Sequence, residues 1–225
     1  MSTRAWYLRL ASAALVAAAS IGAQAGGPLS VCNDAAHTAL KYPGAGTVNL
    51  SYDQGTLGSR TKAQADAIVT NAVALWTNVP TATVTIGRAA DLPVDVTTAN
   101  YTTYYSNYSD GINPVIYDSN GSLTNLLLGA GASSNVLGFA GSAYYLAPTC
   151  AYAEGQAVIN GAIGVSDATM TAVMAHEIGH LIGMDHAQLD STQGLASSNY
   201  PLMYPIAYRS SVSLHEDDIA AVSAL

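Results

Sequence analysis

The sequence predicts an α+β domain over residues 47–225. Three observations carry this. Thr47–Tyr52 alternates apolar and polar residues, the period-two signature of a half-buried strand. Ala65, Ile68, Val69, Ala72, Val73 and Trp76 then recur at helical spacing. A second helix, opened by Ser166, has Met170, Val173, Met174, Ile178 and Leu181 as its apolar face.

Taken in order, residues 1–25 read as a secretory signal peptide. Arg4 and Arg9 make a positive n-region, Leu8 to Ile21 is mostly apolar, and Ala23-Gln24-Ala25 is a small-x-small cleavage signal. At about 14 residues, the run is short of the roughly 20 needed to span a bilayer. A secreted or periplasmic protein without a membrane anchor is expected. Residues 26–46 form an irregular N-terminal segment with turn chemistry at Tyr42-Pro43-Gly44. After the first strand, Thr61 with Gln64 predicts a capping box. Asn78-Val79-Pro80 stops that helix, and Thr81–Ile86 and Pro93–Thr98 are expected strands. Residues 97–110, rich in Tyr, Thr, Ser and Asn, read as a solvated loop, with a substrate-facing surface as the other reading. Asp118 and Asn120, around a tight turn, are candidate calcium ligands; a plain β-turn also explains them. Val136–Ser142 and Gln156–Asn160 are the last expected strands. Ser213 and Glu216 predict a capping box for a closing helix through Ala224.

The second helix runs into His176-Glu-Ile-Gly-His-Leu-Ile-Gly-Met-Asp-His186, the pattern H-E-x-x-H-x-x-G-x-x-H. Residues four apart on a helix lie on one side, so His176 and His180 can share one ion. Gly183 accepts φ > 0, ends the helix and lets His186 approach from another direction. Three imidazoles leave an open zinc position, as a catalytic site requires. Glu177 lies near the same side without being needed as a ligand, in the place of a general base.

This stretch resembles the zinc-binding consensus of the metzincin metallopeptidases. Tyr200-Pro-Leu-Met-Tyr-Pro205 resembles their Met-turn, with Met203 as its methionine, and the form LMYP is most like the matrixin branch. Pro205 occupies the place where other branches carry a tyrosine ligand, so none is implied. The resemblance covers about residues 45–225 and is specific in 176–205. It implies a twisted, mostly parallel five-stranded sheet with an antiparallel edge strand, two long helices and a C-terminal helix. It also implies one catalytic Zn2+ on His176, His180 and His186, Glu177 as base, structural Ca2+, and hydrolysis of internal peptide bonds in proteins. Asp217 and Asp218 match the aspartates that brace the Met-turn; a solvated helix start that favours acids is the alternative. His215 is expected to be structural. Gly138 stands where matrixins have a histidine for a second zinc, so no second zinc is expected. The edge strand Val136–Ser142 would bind extended substrate. Two features depart from matrixins: Ala187 follows the third histidine, and Pro205-Ile-Ala-Tyr208 is one residue longer than the usual pocket wall.

Cys32 and Cys150 are the two cysteines, an even count that suggests a disulfide in an exported chain. The alternative is a free Cys32 thiolate covering the zinc, as in matrixin propeptides, although SVCNDAAH lacks their motif. The net charge is −8, and −10 once Arg4 and Arg9 leave with the signal, which argues against nucleic acid and anionic membranes as partners. A monomer acting on proteins or peptides is expected. A non-catalytic zinc-binding interaction domain is the alternative function; retention of Glu177 argues against it.

Overall fold

The computed structural model describes residues 26–43, 47–144, 149–188, 200–206 and 212–225. The expected signal peptide lies outside the described residues. Five strands form one sheet in the order β2-β1-β3-β5-β4. These are β1 (Thr47–Tyr52), β2 (Thr85–Arg88), β3 (Asn113–Asp118), β4 (Gly138–Tyr144) and β5 (Tyr152–Asn160). All neighbours are parallel except β4, which runs antiparallel along β5 at the edge. The α+β architecture expected from the sequence is therefore the one observed.

Alternation along the strands separates two cores. Val115, Tyr117, Ala157 and Ile159 face the main core, together with α1 (Lys62–Thr77) and α4 (Asp167–Leu181). Ile116 and Val158 face a smaller core with Leu92, Val96 and Leu123. The Thr61–Gln64 capping box forms as expected, and Ala65, Ile68, Val69, Ala72 and Trp76 are the buried face of α1. Trp76 ties the two long helices together, its indole N–H donating to the Ala175 carbonyl at 2.9 Å.

Two strand expectations are corrected. Thr81–Ile86 pairs only from Thr85, because the turn after α1 continues to Ala82, whose N–H donates to Val79. Residues 93–98 form no strand. The Val96 amide donates instead to the buried Asp53 carboxylate at 3.0 Å, and the Leu92 amide to Tyr52. The third strand is Asn113–Asp118, buried along its whole length. The 97–110 stretch is not only a solvated loop. It contains α2 (Tyr101–Tyr104), and Tyr101, Tyr104 and Tyr105 pack on the smaller core, with Tyr105 edge-on to Phe139.

Asp118 and Asn120 hold the turn that leads into the next helix. The Asp118 carboxylate accepts the Leu123 and Thr124 amides and the Thr124 hydroxyl, and Asn120 accepts the Ser122 amide. These bonds start α3 (Ser122–Leu128), whose first-turn N–H groups lack helical partners. Cys32 and Cys150 are joined in a disulfide, so Cys32 has no free thiolate to cover a metal.

Candidate metal centre

Ser166 caps α4 by accepting the Thr169 amide, as the sequence implied, and Asp167 sits in the first turn. The helix carries His176 and His180 one turn apart. Gly183, at φ +105°, then turns the chain so that His186 comes back to the same point. A Cβ there would also sit 2.7 Å from the Tyr152 ring, so both conformation and space require glycine. His180 Nε2 lies 3.1 Å from Nε2 of His176 and 3.1 Å from Nε2 of His186. The three ligand atoms lie within 4.8 Å of one another.

The far sides of two of the rings are anchored. His176 Nδ1 donates to the Leu202 carbonyl at 2.7 Å and His180 Nδ1 to the Met184 carbonyl at 2.8 Å. Each bond places the proton on Nδ1 and leaves the Nε2 lone pair facing the common point. Three soft-to-borderline nitrogen donors with no carboxylate among them suit zinc.

In the metal-free chain, burial and the neighbouring His180 push His176 from 6.5 down to about 3; burial also lowers His180. His176 and His180 are therefore neutral near neutral pH, the state that binds a metal. The unfolded chain takes up these protons as pH falls below about 6.5, whereas the folded chain resists. Stability of the metal-free protein is therefore expected to fall progressively as pH drops from 6.5 toward about 3. Thermal melts in chelator check this. A melting temperature that stays flat down to about pH 4 contradicts it.

Glu177 is buried beside the triad, and burial pushes its carboxyl up to about 8 without a metal. Its Oε2 has no hydrogen-bond partner among the described residues. An orphaned carboxylate oxygen next to three converging lone pairs fits a cation and a polar reactant. A cavity of about 320 Å3 opens beside His176 and Glu177, with Leu137, Val173, Leu202, Tyr204 and Ile206 among its walls. The expected wall residue Tyr208 lies outside the described residues.

Met203 closes the floor. The Tyr204 amide donates to Pro201 in a tight turn, and Met203 packs against Gly179, where any Cβ would strike its sulfur. Gly179 thus weakens helix propensity but is what admits Met203. Asp218 braces the turn, its carboxylate accepting the Leu202 amide at 2.7 Å and the Met203 amide at 3.0 Å. Asp217 does not share that role and faces His215. The closing helix α5 (Glu216–Ala224) is capped by His215 rather than Ser213, because Asp218 completes the box on the His215 amide.

Sequence reasoning missed the part played by the N-terminal segment. The Leu29 amide donates to Gly183 at 2.7 Å and the Asp185 amide to Gly27 at 2.8 Å, so this segment clamps the turn that presents His186. The Tyr42 hydroxyl reaches the Leu181 carbonyl at the end of α4. Neither contact has a local signature in the sequence.

Sequence comparison extends the geometry. The model of Metallo-peptidase family M12B, Reprolysin-like, matches residues 62–187. No curated protein matches the chain. M12B is the adamalysin branch of the metzincins, so the matrixin branch inferred from Leu202–Pro205 is not supported; that motif lies beyond the matched residues, and Ala187 had already departed from it. With a match over more than half its length, ending on the histidine triad, the chain belongs to the reprolysin-like M12B metallopeptidases and is a zinc-dependent peptidase of the metzincin clan.

Proposed function

We propose that this chain is a secreted endopeptidase in which His176, His180 and His186 hold the zinc and Glu177 is the general base. Residues 1–25 would serve as the export signal, 26–46 as an N-terminal segment and 47–225 as the catalytic domain. The observation that carries this reading is the buried Glu177 carboxylate, with Oε2 unpartnered, beside three converging Nε2 atoms. A zinc ion held by the three histidines would supply Lewis acidity at this point. Glu177 accepts the proton of the attacking water on Oε2 and passes it to the departing amine. The carboxylate needs no covalent bond to substrate.

The open edge of β4 supports binding of an extended peptide as an added strand. The cavity beside His176 has mainly apolar walls, which favours an apolar side chain on the leaving side of the cleaved bond. Among the described residues no helix is long and apolar enough to cross a membrane.

The test is digestion of casein by the purified, zinc-loaded chain. Internal fragments are expected by mass spectrometry, with cleavage stopped by a chelator and restored by added zinc. Trimming from the chain ends alone, or undiminished cleavage after verified zinc removal, would contradict the proposal.

A further inference from the structure

Gly138 opens β4 directly over Glu177. A Cβ at this position would lie 2.8 Å from Glu177 Cγ, 3.0 Å from Oε1 and 3.1 Å from Cδ. The backbone does not explain the glycine, because Gly138 is not among the residues with positive φ. Its role in the sheet does not explain it either. It pairs with Ile159 in an ordinary antiparallel register, where a β-branched residue would suit the strand better. Gly141, in the same strand, has nothing within 4 Å of a built Cβ. The tight fit therefore belongs to Gly138 and to the side chain it faces.

The strand is held on both sides of Gly138, so the side chain of Glu177 is the partner that must move. The chain entering β4 is pinned by Asn160, whose amide donates to Leu137 and whose side chain donates to Val136 and Ser133. Further along, the Ser142 hydroxyl donates to the Leu181 carbonyl at 2.7 Å, which fixes the strand to the end of α4. Glu177 is buried on α4 next to His176, and its side chain borders the cavity into which it can be displaced.

We propose that Gly138 is a positioning residue. Its missing Cβ forms the slot between β4 and α4 that holds the Glu177 carboxylate toward the three histidines. This rests on Glu177 acting as the base. A methyl group in the slot forces the carboxylate aside without touching the histidines, and a displacement approaching 1 Å at a reacting group costs about 10^2-fold in rate.

The test compares Gly138→Ala with the wild-type chain, both zinc-loaded. Zinc content is expected to stay at one per chain, KM to change less than about threefold, and kcat to fall about 10- to 100-fold. A second readout needs no turnover. In the metal-free protein, Gly138→Ala should lower the melting temperature in the wild-type background and much less in the Glu177→Ala background, where the opposing Cγ is gone. Unchanged kcat overturns the proposal, as does a rise in KM alone. Equal melting losses in both backgrounds also overturn it, because they show no coupling between the two residues. Full activity of Glu177→Gln would instead sink the base assignment, and the melting cycle would still report whether the slot exists.

Discussion

Glu177→Gln is expected to lower peptide hydrolysis by about 10^2- to 10^4-fold while leaving zinc binding intact. The amide keeps the shape and burial of the side chain but cannot take a proton from water. The same variant should stabilise the metal-free protein at alkaline pH. Burial raises the Glu177 pKa from 4.5 to about 8 on folding. A pKa raised on folding contributes stability that is full below 4.5 and lost as pH climbs through about 8. Glutamine removes that loss, so its melting temperature in chelator should exceed that of the wild type by a margin that widens over this interval. Zinc reverses the local logic, because a divalent charge nearby favours the carboxylate and makes it available as a base. A glutamine variant that hydrolyses casein at the wild-type rate would remove Glu177 from the mechanism.

Asp218→Ala is expected to be the most damaging substitution remote from the metal. One carboxylate, 1% exposed, accepts the amides of Leu202, Met203 and His215. Hydrogen bonds to a charged group contribute about 1.5–3 kcal/mol each, and alanine would leave three donors without their acceptor. A loss of at least about 4 kcal/mol follows, or roughly 8–16 °C in melting temperature for a chain of this size. The damage should reach the metal. Leu202, held by Asp218, offers the carbonyl that orients His176, and loss of such support typically weakens metal binding by about 10- to 100-fold. Urea unfolding and zinc competition titrations measure the two effects. Asp217→Ala is the control and should stay within about 0.5 kcal/mol of the wild type. If Asp218→Ala matched it, the bracing role would be wrong.

The parts that were legible in the sequence are those with a local signature. The metal-site spacing, the Thr61 box, the Ser166 cap and the alternation of β1 each need only a few adjacent residues. Strand β3 was not legible because it is buried on both faces, so no polar residues mark one side, and Pro114 argues against a strand. The expected strand Pro93–Thr98 misled for the opposite reason. Leu92 and Val96 are buried, but their amides bond to Tyr52 and the Asp53 side chain rather than to a ladder. His215 was overlooked as a cap because serine is the commoner choice and Ser213 offered one. At Gly138 the sequence shows which residue is present; its reason lies across space, on α4.

The clamp between Gly27–Leu29 and Gly183–Asp185 joins segments about 150 residues apart. A chain synthesised from its N-terminus therefore carries half of the clamp from the start and lacks the other half until late. The brace arrives later still, because Asp218 follows the turn it secures. A nascent or prematurely terminated polypeptide that has passed the third histidine but not Asp218 holds all three ligands without the support that aims the first of them. The order of synthesis thus places the support for His176 after the residue it supports, so the site is fully braced only once Asp218 has docked on the turn.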